Sequence, residues 1–309
     1  MAPKSLPGHH PFRSAAARER YLTHYDAWAS EWPVPAEVRM VATGHGETLV
    51  RICGPADAPP LVLLPSAKLH SLMWGDDVPL FSRHFRTYVV DAIYDSGRSV
   101  SSRPITTIPE ATGWLDGLFD ELGLTEGVNL MGASLGAWLA AEYVLHAPQR
   151  LAKAIWAVPP AVVLAPSKAW ISRAMLAAVP SRATLGGLMA FTCPVASRSS
   201  GRSREVYERA VDDIVLGARC FRPRPFPGGP RVLADEELAG IRTPVLYMEG
   251  EHETICDARE AVTRLNAVAP QIETAIIEGA DHSLSWVEPE ASNQRILGFL
   301  GAATAVPVA

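Results

Sequence analysis

Lysine is almost missing from this chain of 309 residues: 4 lysines stand against 24 arginines, and acids outnumber all bases by 33 to 28. A net charge of −5 excludes the global basic excess of a typical nucleic-acid binder, so no nucleic-acid partner is expected. Cysteine is equally sparse. Cys53, Cys193, Cys220 and Cys256 lie far apart without CxxC spacing. They make neither a disulfide framework nor a zinc set and read as reduced, packed thiols of a cytoplasmic protein. Long apolar runs are missing too. The uncharged stretch Ala154 to Ser167 is cut by Pro159, Pro160 and Pro166, short of the roughly 18–20 apolar residues a membrane span needs. No membrane association is expected. The first twenty residues carry no apolar signal-like region, so nothing marks export. A mean hydropathy of +0.08 with 8 Trp and 8 Phe excludes a disordered chain. What is left is an ordinary globular composition.

Residues 1–35 read as an N-terminal helical extension. A helix over Arg13 to Trp32 carries Tyr21, Tyr25 and Trp28 on one face, read as packing residues, and Pro33 and Pro35 end it. Two β-rich stretches, Glu37 to Ala42 and Thr48 to Cys53, form a hairpin around Gly44 and Gly46. Continuous apolar runs at Leu61–Leu64, Thr87–Asp91, Val128–Met131 and Ala152–Val158 predict strands buried on both faces. Helices are predicted at Glu110–Leu122 and Leu135–His146. The alternation then stops. Residues 161–231 hold two short helix candidates, Ser167–Val179 and Ser203–Leu216, and no strand pattern, and Pro223, Pro225, Pro227 and Pro230 lead out of them. This stretch carries +7, the remainder −12. Alternation resumes with a strand at Val245–Met248, a helix at Ala258–Val268, a strand at Glu273–Ile277 and a helix at Glu290–Leu300. The expected organisation is a core over 36–160 and 232–300, a basic helical cap over 161–231 and a tail over 301–309. The fold class is α/β, with a mostly parallel sheet flanked by helices and the cap inserted after the sixth strand.

Gly132-Ala133-Ser134-Leu135-Gly136 lies between a strand and a helix. This is G-x-S-x-G in the setting of a nucleophile elbow, where a tight turn lifts the serine hydroxyl to the sheet edge beside a helix N-terminus. A serine hydroxyl needs a base. His282, in Glu278-Gly-Ala-Asp-His282, follows the last predicted strand. The base needs an acid, and Glu249, Glu251 and Glu253 all follow the strand from Val245. The order Ser, acid, His suits this fold. Asp257 is a rival acid, whereas Asp281 adjoins His282 too closely to reach its Nδ1. His252-Glu253 begins like HExxH, but Cys256 occupies the second histidine position, so no metal is expected.

Together with Ser71-Leu-Met-Trp74, Tyr88-Val-Val-Asp91, Asp95-Ser-Gly-Arg-Ser99 and Asp281-His-Ser283, these motifs make residues 37–300 resemble an α/β-hydrolase, most of all the small bacterial carboxylesterases. The resemblance implies that Gly250-Glu-His-Glu253 supplies the acid from Glu253 rather than Glu251, and that the amides of Ala67 and Leu135 form the oxyanion hole. One departure is Pro65-Ser66, where the superfamily often reads His-Gly. The fold implied would set the cap above Ser134, with Trp170, Met175, Leu176, Leu188 and Met189 roofing an apolar pocket.

The function expected is therefore hydrolysis of a small-molecule carboxylic ester through Ser134, His282 and Glu253, with no cofactor. The +7 cap motivates a second reading, a thioesterase or tailoring enzyme (lactonase, cyclase or C–C hydrolase) acting on an anionic acyl group or one held on an acyl carrier protein. A non-catalytic binder on the same fold is a third, disfavoured by the complete set of Ser, His and acid.

Overall fold

Alternate residues of the central strands send their side chains into two opposite layers. The computed structural model describes residues 10–223 and 229–302, so the expected tail beyond residue 302 and the exit prolines Pro225 and Pro227 lie outside the described residues. The strands are β1 (Glu37–Thr43), β2 (Gly46–Cys53), β3 (Pro60–Leu64), β4 (Arg86–Val90), β5 (Val100–Ser101), β6 (Val128–Ala133), β7 (Leu151–Ala157), β8 (Val245–Gly250) and β9 (Glu273–Ile277). They form one sheet in the order β1-β2-β4-β3-β6-β7-β8-β9, with the two-residue β5 beside β2. β1 to β2 and β2 to β4 are antiparallel; every pairing from β4 through β9 is parallel. Val62, Leu130, Trp156 and Tyr247 enter one core layer, while Leu63, Met131, Ile155 and Leu246 enter the other. Parallel strands covered on both faces need apolar residues at every position, which is why they read as unbroken apolar runs.

The helices are α1 (Ala15–Ala29), α2 (Val78–Phe81), α3 (Ile108–Glu121), α4 (Leu135–His146), α5 (Lys168–Ala177), α6 (Arg182–Thr192), α7 (Gly201–Cys220), α8 (Asp235–Gly240), α9 (Ala258–Val268), α10 (Leu284–Val287) and α11 (Pro289–Leu300). α3, α4, α8 and α9 close one face of the sheet; α2, α10 and α11 close the other. Because β5 adds a strand to the count, the inserted helices α5 to α7 follow the seventh strand in chain order. Three helices replace the two expected. α6 escapes sequence reading because Gly186 and Gly187 weaken its propensity, yet Ser181 caps it through the Thr184 amide. α7 is longer than its candidate.

The inserted helices have their own apolar cluster, with Leu185, Tyr207, Val211 and Ile214 packed against Leu69 of the core. α1 clamps them from outside. Tyr21 packs with Phe12 and Phe221, and Asp213 of α7 stands 3.2 Å from His70 and 3.6 Å from His24 of α1. Burial lowers the His70 pKa, but buried Asp213 more than offsets this and holds it above the usual histidine range. Nor does the aromatic face of α1 merely pack, since the Tyr25 hydroxyl donates to Asp91 at 2.9 Å.

Candidate active site

Four loops converge at the C-terminal edge of the parallel strands, those after β3, β6, β8 and β9. The chain leaves β6 and enters α4 through Ser134, at φ 50° and ψ −116°. A β-carbon at Gly132 would lie 2.1 Å from the backbone of Gly136, and one at Gly136 would lie 2.5 Å from the Leu64 carbonyl oxygen. Only glycines allow this turn. A non-glycine residue held there stores about 1–3 kcal/mol of strain, and the Ser134 amide anchors the turn by donating to the Ala157 carbonyl of β7 at 2.8 Å.

His282 Nε2 lies 2.9 Å from Ser134 Oγ, and its Nδ1 lies 2.7 Å from Glu253 Oε2. The other oxygen of Glu253 accepts the amides of Thr254 and Ile255, each at 2.7 Å. Burial pushes the Glu253 carboxyl up, but His282 and these two amides outweigh it and hold it below the usual range. The rival acids are engaged elsewhere. Glu251 accepts from Gly279 N and pairs with Arg259, and Asp257 caps α9 through Glu260 N. Asp281 accepts the amides of Val195 and Ala196, tying the loop after α6 to the His282 loop.

Leu135 is the first residue of α4, so its N–H has no intrahelical acceptor. The Ala67 N–H likewise has no acceptor among the described residues. Its neighbour Lys68 turns the loop at φ 62°, and the Lys68 amide donates to Asp95 Oδ2 at 2.6 Å. Pro65-Ser66 is accommodated with the Ser66 amide 3.2 Å from the Met73 sulfur.

Above Ser134 lies a cavity of about 330 Å³. Trp170, Leu188 and Met189 line it as expected. Met175 and Leu176 do not: they are 72% and 63% exposed. Trp170, Ala174 and Ala177 of α5 and its C-cap Ala178 face the cavity, and helical spacing turns 175 and 176 to the opposite side. No arginine stands among the described lining residues. Arg182, Arg202, Arg204, Arg209 and Arg231 are instead held in ion pairs, with partners that include Asp212, Asp76, Glu208, Glu31 and Glu142.

Of two further acids at the site, Asp77 escaped sequence reasoning and Glu249 entered it only as a candidate triad acid. Glu249, 1% exposed, accepts from Tyr247 and reaches the Glu253 carboxyl. Burial, with Glu253 beside it, raises its pKa well above the usual range and favours the neutral form. A carboxyl inside a strand otherwise wholly apolar from Val245 was the signal available. Asp77 lines the cavity with no such signal.

The alpha/beta hydrolase family matches residues 61–295. Carboxylesterase YbfK of Bacillus subtilis (strain 168) is 34% identical over 295 residues, covering 94% of this chain and 96% of that protein. The uncharacterized carboxylesterase nap of the same strain is 32% identical over 288 residues, covering 93% and 94%. Among solved structures, that of carboxylesterase CesB (YbfK) from Bacillus subtilis superposes with a TM-score of 0.83, at 31% identity over 94% of this chain and all of that one. Naproxen esterase (carboxylesterase NP) from Bacillus subtilis superposes with a TM-score of 0.83, at 29% identity over 93% and 99%. No helix among the described residues is long and apolar enough to cross a membrane. By family match, by identity along nearly the whole chain and by fold, the chain belongs to the alpha/beta hydrolase family, as a carboxylesterase-like enzyme.

Proposed function

We propose that the protein is a serine carboxylesterase that cleaves small or medium esters of largely apolar character through an acyl-enzyme. The observation that carries this reading is the unbroken chain Ser134–His282–Glu253, with bonds of 2.9 and 2.7 Å, opening into an apolar cavity. Ser134 Oγ attacks the ester carbonyl carbon while His282 Nε2 takes its proton. The oxyanion that forms is held by the N–H groups of Ala67 and Leu135, and Glu253 stabilises the imidazolium. His282 then protonates the departing alcohol. Water, deprotonated by the same nitrogen, attacks the acyl-enzyme and releases the acid. The ion pairs of Arg182, Arg202, Arg204 and Arg209, and the absence of arginine among the described lining residues, favour a neutral ester over an anionic or carrier-bound acyl group.

A fluorophosphonate probe is expected to label the wild type and not Ser134→Ala. Glu253→Gln should lower kcat by on the order of 10²–10⁴-fold, with Asp257→Asn and Glu251→Gln far milder. Labelling that survives Ser134→Ala would end the reading, and a larger loss at Asp257 or Glu251 would displace Glu253 from it.

A further inference from the structure

One wall of the cavity is unlike the rest. Where the turn Ser71–Trp74 and α2 meet α10 and α11, Asp77, Ser285 and Ser292 line it beside Trp74. Elsewhere on the lining, Thr192 accepts from the Trp170 indole, and Ser283 donates to Asp281. At this wall hydrogen bonding is deficient. Asp77 is 3% exposed and takes part in no ion pair among the described residues; it accepts only long bonds, 3.3 Å from Ser285 Oγ and 3.4 Å from Asn293 Nδ2. Ser292 Oγ, Asn293 Oδ1 and the Trp74 indole nitrogen are buried without a partner. Buried polar groups are normally satisfied, and a carboxylate alone accepts about four bonds.

The Asp77 carboxyl, with two acceptor oxygens, has no countercharge among the described residues, and the Ser292 hydroxyl on the same wall can accept as well as donate. An alkylammonium group supplies three N–H donors, a positive charge and no acceptor. We propose that this wall is a subsite for a protonated amine carried at the end of an apolar chain, so that the enzyme favours amino-substituted esters. The inference rests on the esterase reading for turnover, but not for binding. Burial is the main cause that pushes the Asp77 carboxyl up to about 7, opposed by the bonds from Asn293 and Ser285 and reinforced by Asp76. A bound cation would draw the carboxyl into its ionised form.

The test compares p-nitrophenyl ε-aminohexanoate with p-nitrophenyl heptanoate, in which a methyl replaces the ammonium. Their ratio of kcat/KM, taken on one protein, cancels any general loss of activity and any pH dependence common to both esters. The ratio is expected to fall about tenfold or more in Asp77→Asn, the scale of a desolvated charge pair. In the wild type it should rise from about pH 6 to about pH 8 as Asp77 ionises. A ratio equal in wild type and variant, or flat with pH, overturns the subsite. Should Asp77→Asn fail to fold, Ser292→Val removes one acceptor and is expected to lower the ratio severalfold; an unchanged ratio overturns it again. Calorimetry with hexylamine against hexanol reads binding without hydrolysis. Tighter amine binding with neither ester hydrolysed would refute the esterase reading and support the subsite. Heptanoate hydrolysis with no preference for the amine would refute the subsite alone.

Discussion

Asp77 should make this protein less stable as the pH rises, and replacing its carboxyl by an amide should remove the effect. The residue is enclosed between α2 and α11 with no cation against it among the described residues, and burial pushes its carboxyl up to about 7 from an ordinary value of 3.8. A carboxyl whose folded pKa lies above its unfolded value favours folding only while both states are protonated. Between the two values the unfolded chain releases the proton and the folded chain keeps it, so stability falls with pH and levels off above about 7. Linkage with these two values gives a penalty of about 2 kcal/mol at about pH 5 and about 4 kcal/mol at about pH 7.5. Asp77→Asn keeps the shape and the contacts to Ser285 and Asn293 but cannot ionise. Urea denaturation of both proteins at these two pH values should show the variant gaining about 2 kcal/mol more at the higher one. The change in the offset is the readout, because any packing difference between Asp and Asn enters equally at both. An offset independent of pH, or one that shrinks as the pH rises, would refute the reasoning.

Three other expectations follow from bonds around the site. Asp95→Ala removes the acceptor of the Lys68 amide and loosens the turn beside Ala67; since one oxyanion donor is worth about 10²–10³ in rate, kcat for a p-nitrophenyl ester should fall about tenfold with KM little changed, and an unchanged kcat would disconnect Asp95 from the loop. Glu249→Gln should leave the acid limb of the kcat/KM profile where it is, because burial beside Glu253 raises the Glu249 pKa and favours its neutral form. A limb that moves down would mean that a charge had been removed beside Glu253, and would refute this. The kcat/KM of neutral esters should hardly respond to salt up to about 0.5 M, and that of acyl groups bearing a carboxylate no more steeply, because Arg182, Arg202, Arg204 and Arg209 are held in ion pairs and no arginine stands among the described lining residues. A steep fall for the charged acyl group alone would restore the anionic reading.

What was legible in the sequence, and what was not, divides along a physical line. The central strands could be read because burial on both faces demands apolar residues at every position, and β3, β6, β7 and β8 satisfy it almost without exception. Ser134 was legible because its turn demands glycine at 132 and 136, a steric requirement written locally. Glu249, Glu251 and Glu253 could not be ranked on the same terms. They are spaced two apart, and the choice depends on where β8 ends: Glu249 is still inside the strand, Glu251 turns to Gly279 and Arg259, and Glu253 reaches His282, 29 residues on. Only the family resemblance separated them, because no local rule says where a strand lets go of the sheet. Which way the cap's side chains face was illegible for the same reason. Its surplus charge was correctly counted, but the acids that pair with its arginines from outside, Glu31 just after α1, Asp76 just before α2 and Glu142 in α4, lie 178, 126 and 89 residues from their partners along the chain. Its apolar residues were counted too, yet a one-residue step around α5 separates Ala174, which faces the cavity, from Met175, which faces water. Composition fixes how much charge or apolar surface a segment carries; which side of a helix it falls on, and what it meets there, is decided by the partners that the fold brings up.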